Sequence, residues 1–159
     1  MEKANLIDAN QYLTFKLGDE EFGLTIAKVR EVLDFTSLTK VPQTPDYMCG
    51  VLNLRGSVVP VVDLKLKFGL QQTARTVNTC IIIVEIEIDG EVTVLGILAD
   101  AVHEVVEIDA EQVEPAPKIG TRLDTAFIQG MGKLEDDFVV ILDIDKVFSL
   151  DEIAGVRAA

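Results

Sequence analysis

The chain has no tryptophan, one histidine, two cysteines and only 14 Lys and Arg residues. Each scarcity narrows what it can do. The lone His103 and the separated Cys49 and Cys80 cannot supply the Cys and His set of a zinc site. No Ser, Cys or Asp stands in a nucleophile motif that would pair with His103, which reads as a structural histidine on a sheet surface. Two cysteines without close partners predict reduced core thiols rather than a disulfide framework. Against the 14 basic residues stand 27 acidic ones, a net charge of −13. Phosphate backbones and anionic headgroups repel such a chain, which excludes nucleic acid as a partner. A membrane-spanning helix needs roughly 20 apolar residues in a row, and the longest stretch free of charge, residues 76–84, has nine. The opening Met1-Glu2-Lys3 runs into Asp8 and Asn10 with no apolar run of signal-peptide length. These absences predict a cytosolic protein with no metal, no cofactor and no membrane insertion.

What remains is apolar and rich in strand signals. At 159 residues and 48% apolar content the chain fits one domain with a real core. Leu13, Phe15 and Leu17 alternate with Tyr12, Thr14 and Lys16, the period of a strand with one buried face. Gly18-Asp19 turns the chain, and Phe22, Leu24 and Ile26 resume the alternation. Asp89-Gly90 joins strands over 79–88 and 91–99 in a tight hairpin, and 58–64 and 138–142 read as further strands. Helices are short. Thr44 is placed to cap a turn with Pro45 in its first position, and Asp143 to cap a closing helix with Ile144, Val147 and Phe148 on one face. Many short strands and tight turns predict a mainly β protein, a barrel or a sandwich.

An internal repeat is the most informative feature. A shift of 73 residues lays 22–33 over 95–106, matching Gly23 to Gly96, Val29 to Val102, and Glu31-Val32 to Glu104-Val105; Pro42 falls on Pro115. A shift of 80 lays 50–68 over 130–148, matching Gly50, Leu54, Val59, Asp63 and Phe68 to Gly130, Leu134, Val139, Asp143 and Phe148. Two windows in the same order predict two similar half-domains that pack together and leave a groove where partner segments bind. No motif supplies chemistry. Gly130-Met131-Gly132-Lys133 lacks the hydroxyl and spacing of a phosphate loop, and Asp143-Ile144-Asp145 continues into Val147 and Phe148 where a calcium loop needs a ligand and a glycine. Asp136-Asp137 reads as a solvated turn.

Residues 50–64 read Gly-Val-Leu-Asn-Leu-Arg-Gly-Ser-Val-Val-Pro-Val-Val-Asp-Leu: a strand, a turn through Arg55-Gly56, and a second strand in which Pro60 argues for an edge or a bulge. On physics alone Arg55 is equally a solvated turn residue or a recognition residue. This run resembles the signature of the CheW family, the coupling proteins of bacterial chemotaxis. Leu17-Gly18-Asp19-Glu20-Glu21-Phe22-Gly23, Ile26-Ala27-Lys28-Val29-Arg30-Glu31-Val32, residues 96–100 and Glu111-Gln112-Val113-Glu114-Pro115-Ala116-Pro117 are similar to it as well, so the resemblance covers about 11–150.

The resemblance implies two similar SH3-like five-stranded β-barrel subdomains packed together, with short helices and a C-terminal helix. They form one domain over 11–150 between a flexible tail at 1–10 and a C-terminal tail at 151–159. It implies a non-enzymatic scaffold, monomeric when isolated, that bridges the cytoplasmic tips of chemoreceptors (methyl-accepting chemotaxis proteins) to the regulatory domain of the histidine kinase CheA. Such a protein is cytoplasmic and recruited to membrane arrays through the receptors. The positions that match the family's receptor site are Val29, Glu31, Val32, Arg55 and Val105. Kinase binding is expected at Tyr47, Met48 and Gly50, and a ring-closing contact at Glu114 and Ile119. Glu114 departs from the basic residue that some members carry there. The alternatives are an adaptor of another array, such as one for surface motility, or a module of a larger CheA- or CheV-type protein. The chain's end soon after its last predicted helix favours a free-standing adaptor.

Overall fold

The computed structural model describes residues 11–88, 90–115, 127–135 and 137–147. Strand β1 (Gln11–Leu17) turns at Gly18 into β2 (Glu20–Thr25), and a 3-10 turn at Ile26–Lys28 leads to β3 (Val29–Asp34). Next come the hairpin of β4 (Met48–Leu54) and β5 (Ser57–Val62) and one helical turn, α1 (Leu64–Lys67). The long hairpin of β6 (Cys80–Ile88) and β7 (Glu91–Ala99) leads into β8 (Ala101–Glu107). The short β9 (Val113–Glu114), the hairpin of β10 (Ile128–Leu134) and β11 (Asp137–Leu142), and α2 (Ile144–Val147) complete the described chain. No helix among the described residues is long and apolar enough to cross a membrane.

Among the described residues eleven strands form two sheets, β8-β1-β2-β11-β10-β9 and β3-β6-β7-β5-β4. This corrects the expectation of two five-stranded barrels: one sheet has six strands, and neither is closed among the described residues. In the second sheet, closure would require β3 to pair with β4. The connection between them carries Pro42 and Pro45, which lack ladder donors, and touches β4 at one bridge, Thr39 to Val51. Side chains fill the gap instead. Phe35 and Leu38 pack on the inner face with Leu52, Val59, Val61, Ile81, Ile83 and Leu98. In the first sheet Tyr12, Ile108 and Ile141 fill the equivalent space, with Val106, Val113 and Leu134 against them.

The predicted strands over 12–17, 58–64, 79–88, 91–99 and 138–142 are present with small shifts at their ends. Pro60 lies opposite Val51 of β4, just before the two residues where β5 pairs with β7, so its missing amide faces no second strand. The turn expected at Pro45 forms, but Thr44 does not cap it. Thr44 Oγ1 donates to the Val41 carbonyl at 3.0 Å and Met48 N donates to the Pro45 carbonyl at 2.9 Å. Alternating burial through β4 then takes the chain into a strand before a helical turn can repeat. α2 begins after Asp143 as expected, with Ile144 and Val147 buried, and Phe148 lies outside the described residues.

The repeat is visible in the sheets, but not as two independent halves. β3, β6, β7, β5 and β4 occupy the places of β8, β1, β2, β11 and β10. The parallel pairs that join hairpins correspond too: Val61 to Gly96 in one sheet and Ile141 to Gly23 in the other. At these junctions a side chain would not fit, since a Cβ on Gly96 would stand 2.9 Å from Ile81 and one on Gly23 3.0 Å from Val139. Each sheet therefore takes its β1-β2 or β6-β7 hairpin from one half of the chain and its β10-β11 or β4-β5 hairpin from the other. Between the sheets lies the main core. Phe15, Phe22, Leu24, Leu64, Ile82, Val84, Leu95, Ile97, Leu142 and Val147 are buried there.

Candidate docking site

The β4-β5 hairpin ends in a two-residue turn in which Arg55 and Gly56 both have positive φ, 50° and 89°. Twisted strands favour this turn, and Asn or Asp usually takes the first position. Here Asn53 Oδ1 instead accepts the Gly56 amide at 2.8 Å and leaves the first position to Arg55. Left-handed backbone at a residue other than Gly or Asn is uncommon and points toward function. From this tip the guanidinium reaches across the open mouth of the sheet to β3, where both its terminal nitrogens donate to the Glu31 carboxylate. The guanidinium holds the Glu31 carboxyl below the ordinary carboxylate range. The pair bridges two edges that no backbone ladder joins.

β3 is the outer strand of its sheet, with alternate residues exposed. Val32 stands beside Glu31 with 41% of its surface exposed, while Val29 packs against the central core. The structure thus joins Glu31 and Arg55, whereas Val32 is exposed on the opposite face of β3 and Val29 packs inward. Val105 lies on β8, the outer strand of the other sheet, 48% exposed and in the place that Val32 takes on β3. Thr14 fixes β8 there: opposite a bulge in β8 its hydroxyl donates to the Glu104 carbonyl at 2.7 Å and accepts from the Glu104 amide at 3.2 Å.

The expected kinase positions are less exposed. Met48 is buried in the central core, and a Cβ on Gly50 would lie 2.6 Å from the Thr39 carbonyl. Tyr47 is half-buried, with the Lys67 ammonium 5.4 Å from its ring centroid and 5.9 Å from that of Phe127. Burial lowers the Lys67 pKa. Glu114 is exposed on β9, while Ile119 lies outside the described residues. His103 is exposed, with Nδ1 2.7 Å from Glu21 Oε1, and no metal-holding cluster occurs among the described residues.

The cysteines are free, and the Cys49 thiol is pushed up to about 12 by burial, with the Asp63 carboxylate adding to the effect. At pH 8 iodoacetamide should label Cys49 roughly a hundred- to a thousand-fold more slowly in the folded protein than in denaturant. Peptide mass spectrometry reads this directly, and equal rates would mean that the thiol is not enclosed.

Three features escaped sequence reasoning. Asp63 was visible as a repeat match and within the signature run, with nothing to show that it is fully buried and organises the chain around α1. Arg75 stacks over Phe35, a long-range contact with no local pattern. Val58 and Phe138 are exposed at equivalent places on the two hairpins, which the repeat would have paired had exposure been asked of it.

Residues 11–152 match the CheW-like domain family. The chemotaxis protein CheW of Klebsiella aerogenes is 38% identical over 146 residues, covering 92% of this chain and 86% of that one. The chemotaxis protein CheW of Rhizobium meliloti is 32% identical over 142 residues, 89% of each chain. The crystal structure of the scaffolding protein TtCheW from Thermoanaerobacter tengcongensis matches with a TM-score of 0.79 at 39% identity, over 91% of this chain and 90% of that one.

Proposed function

The chain belongs to the CheW family of non-enzymatic chemotaxis adaptors, and from that premise we propose that it joins chemoreceptor cytoplasmic tips to the kinase CheA through separate faces. The receptor's helical tip docks against β3 and the β4-β5 turn. Arg55 supplies the charged contact there, Val32 the apolar one, and Val105 extends the face onto the second sheet. One observation carries this reading: a solvent-facing arginine at a left-handed turn position is held by Glu31 across the open edge of its sheet. CheA binds elsewhere, at the end near Tyr47, where Met48 and Gly50 shape the surface from beneath. Glu114, with Ile119, is the further contact that closes rings. The protein works in the cytoplasm and reaches the membrane through its receptors, raising the effective concentration of kinase beside receptor.

An exposed ion pair adds little to folding, so Arg55→Ala should leave the melting temperature nearly unchanged. It should weaken binding of a receptor cytoplasmic fragment by roughly thirty-fold or more, as truncation of an interfacial charge does. Stimulation of CheA autophosphorylation should fall with it. The reversed pair, Arg55→Glu with Glu31→Arg, restores binding only if the two residues serve each other alone; failure to restore points to a receptor carboxylate on Arg55. Because Glu31 has a lowered folded pKa, the pair is intact above the ordinary carboxylate range and is lost as pH falls through that lowered value. Unchanged receptor affinity in Arg55→Ala would remove the site.

A further inference from the structure

The face formed by β3 does not stop at Asp34. The Phe35 amide donates to the Thr79 carbonyl at 3.2 Å, which holds the segment after α1 against the end of the strand. A cleft of about 610 Å³ opens there, lined by Asp34, Phe35, Arg75, Thr76, Val77 and Thr79. The Arg75 guanidinium carbon lies 4.2 Å from the centre of the Phe35 ring. Such stacking covers one face of a guanidinium and leaves the N–H donors along its edge available. No carboxylate among the described residues forms an ion pair with Arg75, although Asp34 lines the same cleft. In a chain of net charge −13, a cation on an aromatic ring with no carboxylate partner among the described residues is poised for an acid from outside.

The wall that carries Arg75 is braced. At its base the Thr73 amide and hydroxyl both donate to the buried Asp63 carboxylate, each at 2.8 Å. Higher up, the Thr76 amide donates to Thr79 Oγ1 at 2.8 Å and the Asn78 amide to Thr76 Oγ1 at 3.1 Å. Val77 stands at the crest, fully exposed at 100%. A loop fixed by its own hydrogen bonds loses little entropy when a partner settles on it.

We infer that this cleft extends the receptor site: an acidic side chain of the docked receptor helix pairs with Arg75, and an apolar neighbour on that helix packs against Val77. The inference rests on the proposed docking of receptors along β3. Asp34 gives the cleft its polarity, because a carboxylate entering it is attracted by Arg75 and repelled by Asp34.

Titration of the full-length protein with a receptor cytoplasmic fragment, and separately with CheA, tests this. Arg75→Ala should weaken receptor binding about ten-fold, and Arg75→Glu should weaken it further. Arg75→Lys should restore it only in part, since an ammonium does not stack as a guanidinium does. Asp34→Asn should tighten binding by a few-fold, and CheA affinity should not move in any variant. If Arg55→Ala weakens receptor binding while Arg75→Ala does not, the cleft lies outside the site, and the inference falls while the docking reading stands. If neither variant changes receptor binding, both fall. If Arg75→Glu binds no more weakly than Arg75→Ala, no carboxylate meets Arg75, and a loss of CheA affinity instead would assign the cleft to the kinase; either result overturns the inference.

Discussion

Phe22→Ala is expected to remove about 3–5 kcal/mol of stability, the range for emptying a large aromatic site in a packed core. Phe22 is 1% exposed on β2 and stacks with Phe15, their ring centres 6.1 Å apart, and with Phe68 at 6.3 Å. Phe68 stacks in turn on Phe127 at 6.1 Å, so the row runs from β1 through the space between the sheets to the foot of β10. Alanine at position 22 would interrupt this row where it crosses from one sheet to the other. Backbone pairing on both sides of Phe22, to Phe15 and to Val140, resists collapse into the gap. For a domain of this size the midpoint should fall by roughly 6–20 °C in a calorimetric melt. Phe138→Ala is the control, because that ring is 45% exposed and its loss should move the midpoint very little. A fall of less than a few degrees for Phe22→Ala would mean that something other than this core joins the sheets.

Asp63→Ala should cost about 2–4 kcal/mol, most of it from donors left buried without an acceptor. The carboxylate accepts from the Thr73 amide, the Thr73 hydroxyl and the Lys65 amide, at 2.8, 2.8 and 3.1 Å, and is fully enclosed. Asp63→Asn keeps the shape but turns two N–H groups toward these donors, so it should recover only part of the loss. Asp143, in the corresponding place before α2, is 30% exposed and faces Lys146 at 3.7 Å. Its removal should cost well under half as much, since water can replace the lost acceptor. Urea titrations of the three variants give the comparison. Equal losses at 63 and 143 would show that burial of Asp63 is not what makes it matter. Because Asp63 anchors the loop that carries Arg75, its loss should also weaken receptor binding, without touching Arg55.

Much of this was legible locally. Alternation in residues 12–17 and 22–26 and the Asp89-Gly90 turn report antiparallel hairpins, because neighbouring strands pair through short connections whose chemistry is written in the residues themselves. The turn through Arg55 and Gly56 was legible for the same reason, but turn chemistry alone left Arg55 equally a solvated or a recognition residue, and the family resemblance singled it out. The choice of parallel partners was not legible. Gly23 and Gly96 sit in similar patterns, and nothing near either one says that Ile141 joins the first and Val61 the second. That choice belongs to the central core, where apolar residues from both halves must be buried at once. Barrel closure failed as an expectation for a related reason. Periodicity shows that a strand has two faces, but not whether its free edge finds another strand or, as with β3, a salt link and a plug of side chains. Met48 entered the expected kinase contacts through the resemblance alone, and no local pattern told that the first residue of β4 is buried.

The exchanged hairpins give the molecule an approximate twofold axis within one polypeptide. In a homodimer, a residue chosen for one face is imposed on the other. Here the two faces are encoded separately and have diverged. The left-handed position at the tip of the β4-β5 hairpin is Arg55, with φ 50°, and its counterpart on the β10-β11 hairpin is Glu135, with φ 51°. Across from them, β3 offers Glu31 and β8 offers Glu104. The same backbone frame therefore closes one mouth with opposite charges and presents two acids at the other. A partner that reads charge can tell the two ends apart, and an adaptor with distinguishable ends can be placed in only one orientation between two different proteins.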